Sequence, residues 1–314
     1  MIEKGEIITK DIINRVLLDI DLLKNKAKSI IPSYWNEVTN IRNVFEKNYF
    51  TNGVESLSYG NGVYIMGTSR YTQSSEMIDG NVVYSYSSES RLLYSYDILN
   101  WQVCNTPFES FSSTTSNKSC SVNSICFDES LQKFIAVTNS GKIVYSSNGI
   151  NWSISNQNIF TKNILSVCTN NRGTFVVVGD EGVAYSTDGI SWTKIDTSNL
   201  STQSFSLCNY CKNLDFPLFV IYGNGYSYYS MDGISWKSLI IFNSITNFKL
   251  SFLYDGNNIL LGISPTKDIY YSDSSFRQTW KDASLNLSTL TTGTLESILF
   301  NGHFFIFSLM TQIK

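Results

Sequence analysis

After residue 28 the chain falls into short apolar runs that alternate with polar residues and are cut off by Gly, Asn, Asp and Ser, the period-two pattern of β-strands joined by tight turns. Two features repeat within it. A Ser followed by an apolar residue recurs at Ser56, Ser124, Ser166, Ser206, Ser251 and Ser297, and each copy leads into a second apolar run such as Thr174-Phe175-Val176-Val177-Val178-Gly179. Further along stands Tyr185-Ser186-Thr187-Asp188-Gly189-Ile190-Ser191-Trp192 or a copy of it: Tyr145 to Trp152, Tyr229 to Trp236, Tyr94 to Trp101, and a looser version from Tyr271 to Trp280. Asp-Gly and Asn-Gly supply the positive φ that a two-residue hairpin needs, so the unit is expected to be a strand, a tight turn and a returning strand. The first residues follow a different pattern. Behind a Thr9 cap, Ile13, Val16, Ile20, Leu23 and Ala27 are spaced alternately by three and four, which predicts a helix over 9–28 with a narrow apolar seam. That seam fits either a short coiled coil between copies, making the protein a homo-oligomer, or a helix lying on its own domain.

The repeat length points to the architecture. From Ser124 onward the repeat serines are 42, 40, 45 and 46 residues apart, and Trp152, Trp192, Trp236 and Trp280 are separated by 40, 44 and 44. A period of about 40–50 residues holding four short strands is the signature of a β-propeller blade. The pair beginning at Ser297 and ending near Leu309 is followed by only five residues, too few for two more strands. Residues 29–38, closing on Trp35, read as a shortened copy of the hairpin. The expected fold is therefore all-β: a six-bladed β-propeller over 29–314, closed by an N-terminal strand segment and preceded by a helical attachment segment, 1–28.

Charge and cysteine content narrow the chemistry. The 23 basic and 26 acidic residues leave a net charge of −3, scattered without runs, so nucleic acid and anionic membrane are not expected partners. The start lacks a hydrophobic signal core and no apolar run reaches the ~18 residues of a membrane span, which predicts a soluble chain made in the cytoplasm. Of the six cysteines, Cys126, Cys168 and Cys208 each fall two residues after a repeat serine, as packing positions for free thiols. Cys208-x-x-Cys211 lacks the further ligands zinc requires, His303 being the sole histidine, so no metal or cofactor is expected. Two stretches exceed the blade length: the 26 residues between Gly67 and Tyr94, and the Ser-, Thr- and Asn-rich 102–121. In a propeller both open on one face, and they carry Tyr71, Tyr84, Tyr86, Phe108 and Phe111. These aromatics suit binding of a glycan or a protein surface; alternatively Val82 to Tyr86 is an extra hairpin packing its own rings.

The hairpin motif resembles the Asp box of sialidases and related propellers, Ser-x-Asp-x-Gly-x-x-x-Trp, in a shorter form with Gly189 directly after Asp188. That resemblance implies a structural turn on a blade's outer side. The arginines a sialidase directs at its substrate are not matched, since the six here, at 15, 42, 70, 91, 172 and 277, avoid the inner strands of the repeat. Glu55 and Glu296 share a register on inner strands and leave a glycan hydrolase as an alternative function. Over 29–314 the chain more closely resembles the Tyr-Ser-x-Asp-Gly-x-x-Trp propellers of bacteriophage tails and phage-tail-like bacteriocins, particularly of clostridia. This implies a non-enzymatic receptor-binding or baseplate subunit of a virion or tail-like particle, assembled in the bacterial cytoplasm. Its helix would dock it on tail or baseplate proteins as a homo-oligomer such as a trimer, and its propeller would meet a surface-layer protein or glycan. A further alternative is a cytoplasmic assembly scaffold, like the propellers that help build photosynthetic complexes.

Overall fold

The computed structural model describes residues 54–79, 81–108, 111–113, 121–155, 159–212 and 217–238, and six strand segments between 252 and 310. The helix expected over 9–28, the closing segment 29–38, Cys120, His303 and Trp280 lie outside the described residues. All regular structure among them is β. The first sheet joins β1 (Val54–Gly60), β2 (Val63–Ile78), β3 (Asn81–Ser95) and β4 (Gln102–Val103) in that order, with β5 (Phe111–Ser113) added to β3. The second is β6 (Val122–Asp128), β7 (Lys133–Thr138), β8 (Ile143–Ser146) and β9 (Ser153–Ile154). The third is β10 (Ile164–Thr169), β11 (Phe175–Gly179), β12 (Gly182–Ser186) and β13 (Thr193–Lys194), and the fourth is β14 (Leu207–Cys211), β15 (Leu218–Gly223), β16 (Tyr226–Ser230) and β17 (Lys237–Ser238). A fifth holds β18 (Phe252–Gly256), β19 (Ile259–Ile263), β20 (Asp268–Ser272) and β21 (Lys281–Asn286), and β22 (Thr294–Phe300) pairs with β23 (Phe305–Met310) in a two-stranded sheet. Every strand pairing among the described residues is antiparallel and, apart from that of β5 with β3, joins consecutive strands; a single parallel bridge, Asn105 with Asn151, lies outside the strands. The first strands β1, β6, β10, β14, β18 and β22 lie against one another in that order, so successive sheets are stacked around a common inner wall as propeller blades are.

Two-sided burial explains why the second strands read as unbroken apolar runs. Phe175 and Val177 pack toward the second sheet with Ile135, Val137 and Ile143, while Val176 and Val178 pack toward the fourth with Phe219 and Ile221. Alternate side chains leave a strand on opposite faces, and here both faces meet a neighbouring sheet. The tryptophans follow one rule: Trp152 joins the core against the first sheet, Trp192 the core against the second, and Trp236 packs on the core against the third. Each closes its own sheet back onto the one before it.

The repeat serines have a mechanical role. A β-bulge directly precedes Ser56, Ser124, Ser166 and Ser297, the bulged residues being Glu55, Asn123, Leu165 and Glu296. Bulges sharpen twist and re-aim side chains. Beyond them Ser56 Oγ donates to the carbonyl of Val122 (3.4 Å), Ser124 Oγ accepts from the Val167 N–H (3.2 Å), and Ser166 Oγ donates to the carbonyl of Cys208 (3.3 Å). Each serine thus ties its first strand to the first strand of the next sheet.

The Asp-Gly units differ from the expected two-residue hairpin. Tyr185 pairs with Thr193, so residues 186–192 form a longer loop. Ser186 Oγ accepts the N–H groups of Asp188 (3.3 Å) and Gly189 (2.8 Å), and Asp188 Oδ1 accepts those of Ile190 and Ser191 (2.7 Å each). With four backbone donors satisfied by two side chains, the chain has no need to close a tight ladder. Two-residue turns do occur, at Asn61-Gly62 and Asn224-Gly225, where both residues have positive φ.

Candidate binding surface

The longest hairpin among the described residues gathers most of the aromatic positions singled out above. β2 and β3 pair without a break from Tyr64↔Ser95 to Ile78↔Asn81, whereas β7, β8, β11 and β12 have 6, 4, 5 and 5 residues. Among the described residues the first strand accompanies β2 as far as Thr68, opposite Val54. From there the ribbon continues for ten residues on β2, about 30 Å at ~3.3 Å per residue. Val82 to Tyr86 is consequently the start of β3 rather than a separate hairpin. At the tip Ile78 pairs with Asn81, and Asp79 has φ +50°.

Register sorts the ribbon into two unlike faces. Odd positions of β2 stand opposite even positions of β3, so Tyr71, Gln73, Ser75 and Met77 share a face with Ser88, Tyr86, Tyr84 and Val82. Pairing of β5 through Ser88↔Phe111 and Tyr86↔Ser113 adds Phe111 to that face. The other face reads Arg70, Thr72, Ser74, Glu76, Val83, Ser85, Ser87 and Glu89. Met77 is 68% exposed, Val82 52% and Tyr84 46%, so the outer part of the apolar face meets solvent. Phe108 stands apart from this group: it is half-buried and packs on the core cluster of Cys104, Trp152 and Phe134. Met77 and Val82 were not singled out in the sequence. Asp79-Gly80 between alternating segments was the available signal, because a two-residue turn there sets the register of everything on either side.

A second concave feature runs along the inner wall. A cavity of about 370 Å³ is lined by first-strand residues of the second, third and fourth sheets, among them Cys126, Phe127, Cys168, Cys208 and Tyr210. Burial, followed by the neighbouring Cys208 and Asp128, pushes the Cys126 thiol well up, and burial with the adjacent Cys208 does the same to Cys168. Thiols held protonated are neither nucleophiles nor ready metal ligands. Among the described residues no group of three His, Cys, Asp or Glu is placed to hold a metal ion, and the five described cysteines are free. Glu55 is exposed at the bulge of β1, and Glu296 holds the matching position of β22. In the second sheet this position belongs to Asn123, whose amide donates to Asn163 Oδ1 and to the carbonyl of Ile164, both at 2.7 Å. There it joins two sheets.

The remaining polar repeats are structural turns. Ser95 and Asp97, Ser146 and Asn148, and Ser230 and Asp232 reproduce the bonding of Ser186 and Asp188. The glycines lie close over the preceding sheet: a Cβ on Gly149 would meet Ile65 Cδ1 at 2.7 Å, and one on Gly189 would meet Ile135 Cδ1 at 2.7 Å. Positive φ and the lack of space both demand glycine there.

No protein-family model and no curated protein matches the sequence. Solved structures do match in shape. The chain is similar to YCF48 in its structure bound to D1 peptide, with a TM-score of 0.52, 14% identity, and coverage of 83% of this chain and 74% of that one. It is similar to Sqt1 of Saccharomyces cerevisiae with a TM-score of 0.52, 12% identity, and coverage of 83% and 71%. At such identity the likeness speaks for the fold, which is a β-propeller-like stack of antiparallel sheets.

Proposed function

We propose that this chain is a non-enzymatic receptor-binding or baseplate subunit of a phage tail or tail-like particle, and that it meets its receptor through the outer ribbon of the first sheet. The observation that carries the reading is the register that collects Tyr71, Tyr84, Tyr86 and Phe111 with Met77 and Val82 on one face of a ribbon extending past its blade. Exposed aromatic and Met side chains on a rigid support are the usual anchors of protein recognition, and a paired ribbon holds them at little entropic cost. The assignment to a tail particle rests on the resemblance of the turn motif. The finer architecture proposed with it is a ring of six blades, the two-stranded sheet of β22 and β23 being completed by residues 29–38, with the helix 9–28 as the attachment and oligomerisation segment.

Purified protein is expected to bind target cell walls or surface-layer protein, and Met77→Ala, Val82→Ala and Tyr84→Ala to weaken that binding without lowering Tm. Loss of the gene with adsorption of the particle unchanged would sink the reading. The assembly-scaffold alternative differs in one respect: a scaffold leaves the finished particle. Finding the chain in purified particles decides between them.

A further inference from the structure

We propose that Cys168 and Cys208 are a site of oxidative modification, at which a small peroxide joins the two thiols into a disulfide that staples the third sheet to the fourth. The proposal is independent of the receptor reading. Both residues stand two places after a repeat serine, yet they face each other because one first strand is bulged and the other is not. The bulge before Ser166 leaves Val167 paired with Val177 and Cys168 with Val176. β14 keeps an unbroken register, in which Cys208 pairs with Ile221. Val177 and Ile221 each stand two residues before the glycine that ends their strand, so Cys208 occupies the place of Val167 rather than that of Cys168. A displacement of one residue reverses the face of a strand side chain. Val167 accordingly packs back toward the second sheet, whereas Cys168 and Cys208 enter the same core between the third and the fourth.

The contacts bring the two sulfurs together. The Cys208 thiol reaches across to the third sheet, donating to the carbonyl of Val176 at 3.4 Å and to Ser166 Oγ at 3.5 Å. Val176 stands directly opposite Cys168, and Ser166 lies two residues before it on the same face, so the Cys208 sulfur rests on the patch that Cys168 occupies. Ser166 Oγ in turn donates to the Cys208 carbonyl at 3.3 Å and holds the two backbones side by side. Burial, and next a hydrogen bond with Cys208, pushes the Cys168 thiol up, whereas Cys126 and Cys211 act on it through charge alone. Both thiols line the inner-wall cavity of about 370 Å³, and a water-sized molecule takes up about 30 Å³, so a peroxide has room beside them. The step balances with that oxidant. One thiol loses its proton to solvent, and its thiolate takes an oxygen from the peroxide to become a sulfenic acid while hydroxide leaves. The second thiol attacks the sulfenic sulfur; the S–S bond forms, the S–O bond breaks and water departs. Two electrons pass from sulfur to oxygen, and two thiols with one hydrogen peroxide give one disulfide and two waters. The product is uncharged, and Ser166 keeps its bond to the Cys208 carbonyl.

The full wild-type chain serves for the test. A protonated thiol reacts only through its minor thiolate form, so dilute hydrogen peroxide is applied in mildly alkaline buffer, with circular dichroism confirming that the protein stays folded. Digestion without reduction is expected to yield one linked peptide pair, joining Cys168 to Cys208, from a chain that has lost two hydrogen atoms and has not become a covalent dimer. The same link should form when Cys126→Ser and Cys211→Ser are introduced together, and should vanish on adding reductant. Closing this loop should raise Tm by about 5 °C or more, and reduction should return Tm to its starting value. Recovery of Cys168 and Cys208 as separate, unlinked residues from the folded, oxidised wild-type chain overturns the proposal, as does a link from either of them to another cysteine. A Tm that ignores the link overturns the staple.

Discussion

Asp128 is a buried carboxylate that fastens the second sheet to the third. Its oxygens accept the hydroxyl of Thr169, the Gly173 N–H at 3.1 Å, the Leu131 N–H at 2.9 Å and the Ser130 hydroxyl at 2.7 Å. Burial by itself would raise this carboxyl, but the four donors outweigh it and hold it below its ordinary value. Asp128→Ala leaves those donors unpaired in the interior and should cost about 3 kcal/mol, measured by urea unfolding at neutral pH. Asp232 shows the pH consequence. Partial burial opposes ionisation, yet the Ser235 N–H, the Ser230 hydroxyl and the Ile234 N–H lower its pKa to about 2. The folded value lies below the unfolded value of about 3.9. Its contribution is therefore complete above that value and is lost as pH falls toward 2. The stability gap between wild type and Asp232→Ala, about 1 kcal/mol at pH 7 by analogy with a lost helix cap, should shrink between pH 4 and 2 in thermal melts. Ile98 makes the opposite point: it fills the glycine position of its turn at φ +60°, half exposed. Ile98→Gly is expected to stabilise the protein by up to about 1 kcal/mol through relief of left-handed backbone strain.

At the scale of elements, the Ser-x-Asp-Gly loop is a bolt between sheets. Gly189 lies over Ile135, Lys133 Nζ donates to the Asp188 carbonyl at 2.5 Å, and Trp192 is buried beside Phe175 with ring centroids 6.4 Å apart. Trp192→Ala removes the bolt and leaves a cavity, at an expected cost of about 3–5 kcal/mol, seen as a lower denaturant midpoint. The β2–β3 ribbon is the contrasting element. Its tip contributes nothing to the three main core clusters, so Met77→Ala and Tyr84→Ala should leave the midpoint within about 0.5 kcal/mol of wild type. A substantial loss of stability in either variant would mean that the ribbon's apolar face is a structural contact.

For the whole molecule, removal of residues 1–28 and removal of residues 1–38 should have different outcomes. If 29–38 complete the sheet of β22 and β23, the shorter deletion keeps a cooperative unfolding transition near the wild-type midpoint, and the longer one exposes a sheet edge and broadens or lowers that transition. Equal behaviour of the two proteins by calorimetry would reject closure by that segment.

The existence, order and type of the strands were legible in the sequence because each sheet is a local meander whose pattern repeats every 40-odd residues, and among the described residues five of the six sheets complete four strands as that repeat requires. Burial on both faces wrote Phe175-Val176-Val177-Val178 as one apolar run, and the tryptophans marked where each unit ends. Other features belong to tertiary structure. That Ser56, Ser124 and Ser166 bond to the next sheet depends on bulges and on a neighbour some 40–70 residues away, which no local window contains. Loop geometry was also undecided, since Asp-Gly serves a two-residue hairpin or a side-chain-capped loop according to whether a serine two residues earlier captures the backbone donors. Which aromatics share a surface was set by pairing register: Tyr71, Tyr84, Tyr86 and Phe111 fall on one face and Phe108 packs half-buried on the core, although composition presented all five alike. A strand displays its residues by parity relative to its partner, and parity across a hairpin becomes known only when the turn between the strands is fixed.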